Sequence, residues 1–480
     1  MTQAALSVNG LTIRDRQGGA VVADISFAIP PGGALTVIGE TGSGKSLIAQ
    51  ALFGLLPETM RAGGRISIAG AAPIDAADRR RLAELWRRQL MLIPQEPVAA
   101  LDPVMRVRRQ MALADIDDAR IDAALAAVDL GPAARDAFGF ELSGGMAQRV
   151  VVATALGTGA PIVIADEPTK CLDPDRAGQV IALLRRLLAE GRSLVVITHD
   201  RRVAEAMPGQ LAVLDGGRFV EQDDNRRVLA APRSVFAREW LAADPARWTP
   251  CARNCDRAAA ALSAHGLAFA WPGRAPLFRD LDLHLPRGAV LGLRGPSGCG
   301  KTTLGNVLLG LIRPTAGSVE WAGKDIVAAP AALRPLRRRY QKLGQEPDSA
   351  FLPDMPFGRQ FATLRRVVPG LDLRRDLPPL MESLKLRVAL LERRPGEVSG
   401  GEAQRLAIAR IMLLAPDAIV ADEPTSRLDP VVQRETARVL RRCVDERGIA
   451  LLLISHDQAL LAAMADRTLD LGSFAGRMLS

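Results

Sequence analysis

Four short stretches of the chain are apolar at every position: Ile162-Val-Ile-Ala165, Leu194-Val-Val-Ile197, Ala418-Ile-Val-Ala421 and Leu451-Leu-Leu-Ile454. Strands without a polar face belong in a parallel sheet covered by helices. Two further runs, Ala34-Leu-Thr-Val-Ile38 and Ala289-Val-Leu-Gly-Leu293, each end in a Gly-rich turn. The first turn leads into Leu47-Ile-Ala-Gln-Ala-Leu52, which is compatible with a helix. Ahead of these runs, Leu6 to Ile29 and Leu262 to Leu285 alternate apolar and polar positions, rich in Val, Ile and Phe and broken by turn residues. That pattern predicts a strand-rich antiparallel opening. Between Lys45 and Ser143, and between Lys301 and Ser399, 98 residues read as mostly helical. The fold class is α/β.

The pattern occurs twice. Lys45 and Lys301, Ser143 and Ser399, Glu167 and Glu423, and Asp173 and Asp429 are each 256 residues apart, and His199 and His456 are 257 apart. One offset shared by four motifs, and matched within one residue by a fifth, means two copies of a single domain. The sequence places the copies at 1–241 and 261–480. The Pro-, Ala- and Arg-rich stretch from Ala242 to Ala260, which has no clear period, reads as a short linker.

Each copy carries the elements of a nucleotide site. Gly39-Glu-Thr-Gly-Ser-Gly-Lys-Ser46 and Gly295-Pro-Ser-Gly-Cys-Gly-Lys-Thr302 fit the phosphate-binding loop between a strand and a helix. Gly39, Glu40, Thr41, Gly42, Ser43 and Gly44 would turn their N–H groups onto a polyphosphate, as would Gly295, Ser297, Gly298, Cys299 and Gly300, with Pro296, which has no N–H, shaping the same loop. Lys45 and Lys301 would reach the terminal phosphates, and the Ser46 and Thr302 hydroxyls would hold Mg²⁺. Asp166 and Asp422 end apolar strands where each could accept from Mg²⁺ or its waters. The following acids, Glu167 and Glu423, could polarise an attacking water. His199 and His456, two of four histidines, follow apolar strands and suit a contact to the γ-phosphate. Gln95 and Gln345 lie at strand ends, where they could sense Mg²⁺ or the water. Ser143-Gly144-Gly145 and Ser399-Gly400-Gly401 open amphipathic segments and form a second kind of anion site.

Composition narrows the setting. Hydrophobic residues make up 48% of the 480 and charged residues 24%, which describes globular protein with ample core. The most apolar stretch, Val150 to Ala165, is interrupted by Gly157, Gly159 and Pro161 and falls short of the roughly 18 residues that cross a bilayer. No signal peptide is evident, so any membrane service is expected from the cytosolic side. The net charge of +9 is mostly arginine in short clusters, read as solvated helix faces rather than a nucleic-acid surface. Five cysteines suit a reducing compartment, and Cys251 and Cys255 alone do not make a metal site.

The order of these motifs closely resembles that of the ATP-binding cassette (ABC) ATPases, over nearly the whole chain and twice. The resemblance implies two tandem P-loop NTPase domains, each with a mainly parallel sheet core, an antiparallel β layer and a helical subdomain. It also implies a head-to-tail ATP sandwich in which Lys45 works with Ser399 and Lys301 with Ser143. Asp173 and Asp429 match the D-loop that crosses between such sites. The family's adenine-stacking aromatic aligns with Trp271 in the second copy but with Asp15 in the first, which implies weaker ATP binding at the first site.

Gln95-Glu-Pro-Val-Ala-Ala-Leu-Asp-Pro103, Gln345-Glu-Pro-Asp-Ser-Ala-Phe-Leu-Pro353 and Ser143-Gly-Gly-Met-Ala-Gln-Arg149 resemble the dipeptide, oligopeptide and nickel importer ATPases. Phe236-Ala-Arg-Glu-Trp-Leu-Ala-Ala-Asp-Pro245 is similar to the segment after the cassette in that group. The resemblance implies an ATPase at the cytoplasmic face of the inner membrane, peripheral to two integral-membrane permease subunits and served by an external solute-binding protein. Peptides come first as cargo and nickel or another small solute second. The rival is an ABC-type translation factor, against which the short, Pro-interrupted linker counts.

Overall fold

The computed structural model describes residues 3–86, 88–170, 172, 174–251, 259–296, 298–328, 335–426 and 428–474. Asp173, Ser297 and Cys255 lie outside the described residues. The chain divides into two compact units, Met1–Ala242 and Ala243–Ser480.

In the first unit a six-stranded sheet runs in the order Arg218–Asp224, Gln210–Asp215, Ala34–Gly39, Ser193–Ile197, Ile162–Asp166, Leu90–Ile93. The last five are parallel, and the outermost Arg218–Asp224 pairs antiparallel as the return of a hairpin. Ala34–Gly39, Ile162–Asp166 and Ser193–Ile197 are buried at every residue, as strands sandwiched between helices must be. Each fully buried Leu, Ile or Val there contributes roughly 1.5–3 kcal/mol. Because these strands are parallel, their C-terminal ends share one edge. That edge carries Gly39, Asp166 and Ile197, and so the loop, the two acids and the histidine.

A second sheet, Ala20–Ile29, Leu6–Arg14, Arg61–Ile68, Ile74–Asp75, pairs antiparallel. Leu6, Val8, Leu11 and Ile13 turn their side chains to the core. The alternation shifts phase between Val8 and Leu11, where the pairing register also shifts and Gly10 takes a φ of 63°. The core between this layer and the helix Lys45–Leu52 is continuous. A separate cluster joins Asp118–Ala126 and Gly144–Thr158 in the helical part.

The second unit repeats the plan. Its parallel sheet runs Tyr340–Leu343, Ala418–Asp422, Ala450–Ile454, Val290–Arg294, Arg467–Asp470. Its antiparallel layer runs Pro276–Pro286, Ala260–Ala270, Ala316–Trp321, Lys324–Asp325.

Two sequence expectations change. The stretches between loop and signature are not mostly helical: Arg61–Ile68, Ile74–Asp75 and Leu90–Ile93, with their counterparts Ala316–Trp321, Lys324–Asp325 and Tyr340–Leu343, are strands. They finish the antiparallel layer and add the last parallel strand, pairings made with distant residues that local pattern does not announce. Residues 243–251, read as part of a linker, pack on the second unit. Trp248 lies against its core, and the Cys251 N–H donates to Ala463 O at 3.1 Å.

Candidate functional site

In the first unit the loop wraps back on its own lysine. Lys45, 8% exposed, donates to Gly39 O at 2.8 Å and Glu40 O at 2.7 Å. Gly44 takes a φ of 99° to start the helix, and a Cβ there would sit 2.6 Å from Val22 Cγ2. A Cβ on Gly39 would strike Leu214 O at 2.3 Å, so both positions require glycine. In the second unit Lys301 donates to Gly295 O at 2.8 Å and Pro296 O at 2.9 Å, and Gly300 has a φ of 100°.

The strand-end acids are buried beside the loop. Burial pushes the Asp166 carboxyl up to about 6, with the Ser46 hydrogen bond opposing it, Glu167's charge adding to it, and Lys45 and Lys170 pulling down. Its Oδ1 is buried with no hydrogen-bond partner. Thr302 Oγ1 donates to Asp422 Oδ1 at 3.2 Å, and Lys342 Nζ stands 3.6 Å from Asp422 Oδ2. Oxygen donors converging on an orphaned carboxylate oxygen are what a hard cation such as Mg²⁺ takes. The residues fit the ion.

Glu167 and Glu423 both have a φ of 50°, an uncommon backbone for a residue with a Cβ. Cross-strand bonds hold it: the Glu167 N–H donates to Ile197 O at 2.8 Å and the Glu423 N–H to Ile454 O at 3.0 Å. The twist aims each carboxylate along the strand ends toward its histidine. His199 Nδ1 lies 2.8 Å from Glu167 Oε1, and the His199 N–H donates to Oε2 at 3.3 Å. Burial alone would lower the His199 imidazole, but the hydrogen bond and charge of Glu167, with Asp200, hold it above its ordinary value. His456 Nε2 sits farther off, 3.6 Å from Glu423 Oε1. Burial pushes the Glu423 carboxyl up to about 7, against the His456 N–H and the charge of Lys301.

The remaining expected residues take the following places. Ser143 and Ser399 cap the helices Gly144–Thr158 and Gly400–Met412, and both are exposed. Ser143 Oγ accepts from Met146 N–H at 3.3 Å. Ser399 Oγ accepts from Glu402 N–H at 3.3 Å and donates to Glu402 Oε2 at 2.9 Å. Gln95 follows the strand Leu90–Ile93, and Gln345 follows Tyr340–Leu343, its Nε2 donating to Ser426 Oγ at 3.3 Å. Asp429 is buried and caps the helix Pro430–Arg447 by accepting from Val432 N–H at 3.0 Å. Trp271 is 43% exposed and meets Phe269 edge-on, whereas Asp15 accepts from Gln17 N–H and Gly19 N–H within its own turn.

Sequence reasoning missed three contributors. Trp240 is buried and donates from Nε1 to His199 O at 3.1 Å. Gln148 donates to Pro168 O at 2.9 Å, tying the signature helix to the segment after Glu167. Lys342, on the strand next to Asp422, is the third. Only a wide-ranging view of the packed chain joins residues so far apart in sequence.

The family model described as ABC transporter matches residues 22–170 and 278–426, more than half of the chain. The chain belongs to the ABC transporter family. This ABC ATPase is 32% identical to the peptidoglycan transport ATP-binding protein YejF of Agrobacterium fabrum, over 97% of this chain and 90% of that protein. It is 30% identical to the glutathione import ATP-binding protein GsiA of Escherichia coli, over 96% of this chain and 84% of that protein. Both place it with the ATPases of the dipeptide and oligopeptide importer group. Among solved structures, an archaeal ribosome recycling factor aABCE1 matches with a TM-score of 0.63 at 21% identity, covering 94% of this chain and 87% of that one. At that identity the likeness shows the tandem-cassette fold alone. Among the described residues no helix is long and apolar enough to cross a membrane.

Proposed function

We propose that this ATPase energises an importer for di- or oligopeptides or a related small solute. Two permease subunits would form the membrane path, an external binding protein would supply the solute, and this chain would work at the cytoplasmic face of the inner membrane. The observation that supports this is its tandem likeness to YejF and GsiA over 84–90% of their lengths. The aABCE1 likeness gives no comparable support for ribosome work.

Each ATP site is proposed to be composite, Lys45 with Ser399 and Lys301 with Ser143. Lys45 and Lys301 would exchange their loop carbonyls for the terminal phosphates, and loop amides would take the remaining oxygens. Ser46 with Asp166, and Thr302 with Asp422, would hold Mg²⁺, joined by Gln95 and Gln345. Bound there, the ion would neutralise charge on the transferring phosphate. Glu167 and Glu423 would orient and deprotonate the attacking water, with His199 and His456 keeping the carboxylates aimed and contacting the γ-phosphate. Asp429 and Asp173 are the proposed crossing points between sites, and Trp271 is the proposed adenine platform.

The test is capture from detergent-solubilised cells of tagged Glu167→Gln/Glu423→Gln protein, trapped with Mg-ATP, with the partners identified by mass. Two multi-span permeases are expected. Ribosomal proteins without any membrane partner would overturn the transport reading.

A further inference from the structure

The two strand-end carboxylates draw on cations from different positions: the charge of Lys170 acts on Asp166, where the second unit has Ser426, and Lys342 faces Asp422. In the second unit Lys342 lies on Tyr340–Leu343, paired in register with Val420 one strand from the site. Its Nζ is fixed from two sides, donating to Asn306 Oδ1 at 2.9 Å and standing 3.6 Å from Asp422 Oδ2. Asn306 comes from the helix that starts at Lys301, so sheet and helix together build the seat.

The first unit has no cation at the position of Lys342. Leu92 occupies the register position of Lys342, paired with Ile164 as Lys342 is with Val420. Gln50 occupies the helix position of Asn306, and its Oε1 is buried with no partner. Asp166 Oδ1 is likewise without one. An amide oxygen and a carboxylate oxygen that meet an ammonium in one unit are both orphaned in the other.

We propose that Lys342 is a positioning residue of the second ATP site, a resident positive charge that holds the Asp422 carboxylate and makes this site take its divalent cation more weakly than it would without that charge. A fixed ammonium within ion-pair reach of a metal-binding carboxylate neutralises part of the charge the metal needs and repels the metal itself. The same charge favours polyphosphate in the absence of metal, since it stands behind the Asp422 carboxylate that Thr302, at the end of the loop, bonds. Removing it therefore has opposite effects on two measurements. Metal affinity rises and metal-free nucleotide affinity falls. The inference rests on the reading of Lys301, Thr302 and Asp422 as an ATP site.

The experiment uses full-length Lys45→Ala protein, leaving only the second site loaded. Mn²⁺ binding is followed by electron paramagnetic resonance at saturating ADP, and binding of a fluorescent ADP is followed in EDTA. Lys342→Leu, the residue the first unit uses, is expected to tighten Mn²⁺ by roughly tenfold and to weaken metal-free ADP by a similar factor. Lys342→Arg, which keeps the charge, is expected to stay within about twofold of the parent on both. A fold defect in Lys342→Leu would weaken both, and that is why the opposed signs matter. Unchanged Mn²⁺ affinity in Lys342→Leu, or an equal change in Lys342→Arg, overturns the proposal. Absence of any ADP-dependent Mn²⁺ binding in the Lys45→Ala parent overturns the site reading and this inference with it.

Discussion

Both oxygens of the Glu167 carboxylate are held by one residue, His199, through its Nδ1 at 2.8 Å and its backbone N–H at 3.3 Å. The two residues are therefore expected to act as a unit, with the histidine setting where the proposed base points. Glu167→Gln should lower turnover at the first site by roughly 10²-fold or more. His199→Ala should cost a similar factor, and the double variant little beyond either, since residues that act together lose their effect together. Single-turnover phosphate release in a Lys301→Ala background checks this. Costs that simply multiplied would show independent roles.

The base proposed for the second site, Glu423, should reveal itself through pH. Burial raises Glu423 from 4.5 to about 7, so below that pH the carboxyl is protonated and cannot accept from water. Second-site turnover, measured in Lys45→Ala protein, should climb as pH rises through about 7. The stability consequence has the opposite sense. The folded state binds this proton more tightly than the unfolded chain, so the group's contribution to stability falls as pH rises from about 4.5 to about 7. Glu423→Gln removes that loss. The variant should gain on its parent with increasing pH, by at most about 3 kcal/mol at pH 8 in denaturant unfolding.

Much of this site was legible because its residues are local punctuation. A loop such as Gly39 to Ser46 must fall between strand and helix, and an acid pair after Ile162-Val-Ile-Ala165 must fall at a strand end, so position follows from pattern alone. The fixed offset of 256 residues supplied the rest of the architecture. What stayed hidden depends on packing between distant segments. Arg61–Ile68 looks unremarkable until it pairs with Leu6–Arg14. Trp240 meets His199 across 41 positions and Lys342 meets Asn306 across 36. The left-handed backbone at Glu167 and Glu423 left no trace in composition either.

Trp240 fixes the carbonyl of His199 from the first unit's C-terminal helix Val235–Ala242. Trp240→Phe removes the donor and part of the buried ring system, so stability should fall by about 1–3 kcal/mol. First-site turnover should fall further than that loss explains, because the histidine backbone also supplies an N–H to Glu167. Thermal unfolding and phosphate release, compared in one variant, separate the two effects. Turnover that simply tracks the folded fraction would reduce Trp240 to packing.

Adenine recognition should differ between the sites. Trp271 is exposed and steadied by Phe269 at a ring separation of 5.0 Å, whereas Asp15 spends its carboxylate on its own turn. Trp271→Ala should weaken ATP at the second site by about 1–3 kcal/mol, by analogy with base stacking elsewhere. Asp15→Ala should leave first-site ATP affinity within about twofold. Titration of ATP into Lys45→Ala and Lys301→Ala proteins reads each site in turn, and equal effects of the two substitutions would remove the asymmetry.

The signature serines carry a last asymmetry. Glu402 accepts from both the N–H and the hydroxyl of Ser399, and the Ser399 hydrogen bonds, with Arg387 and Arg405, hold its carboxyl below its ordinary value despite the opposing cost of burial. The carboxylate thus sits on the donor groups that would meet a phosphate. Ser143 meets no such competitor, for position 146 is methionine. In the composite arrangement proposed, Ser399 completes the site built on Lys45, so that site must displace Glu402 before it closes. Glu402→Met should therefore lower the ATP concentration needed to trap Glu167→Gln/Glu423→Gln protein closed, by roughly five- to tenfold for a charge-assisted contact. Met146→Glu should raise it. Closure can be followed by protection from proteolysis or by small-angle scattering, and a closing concentration indifferent to both changes would show that these helix starts do not meet nucleotide.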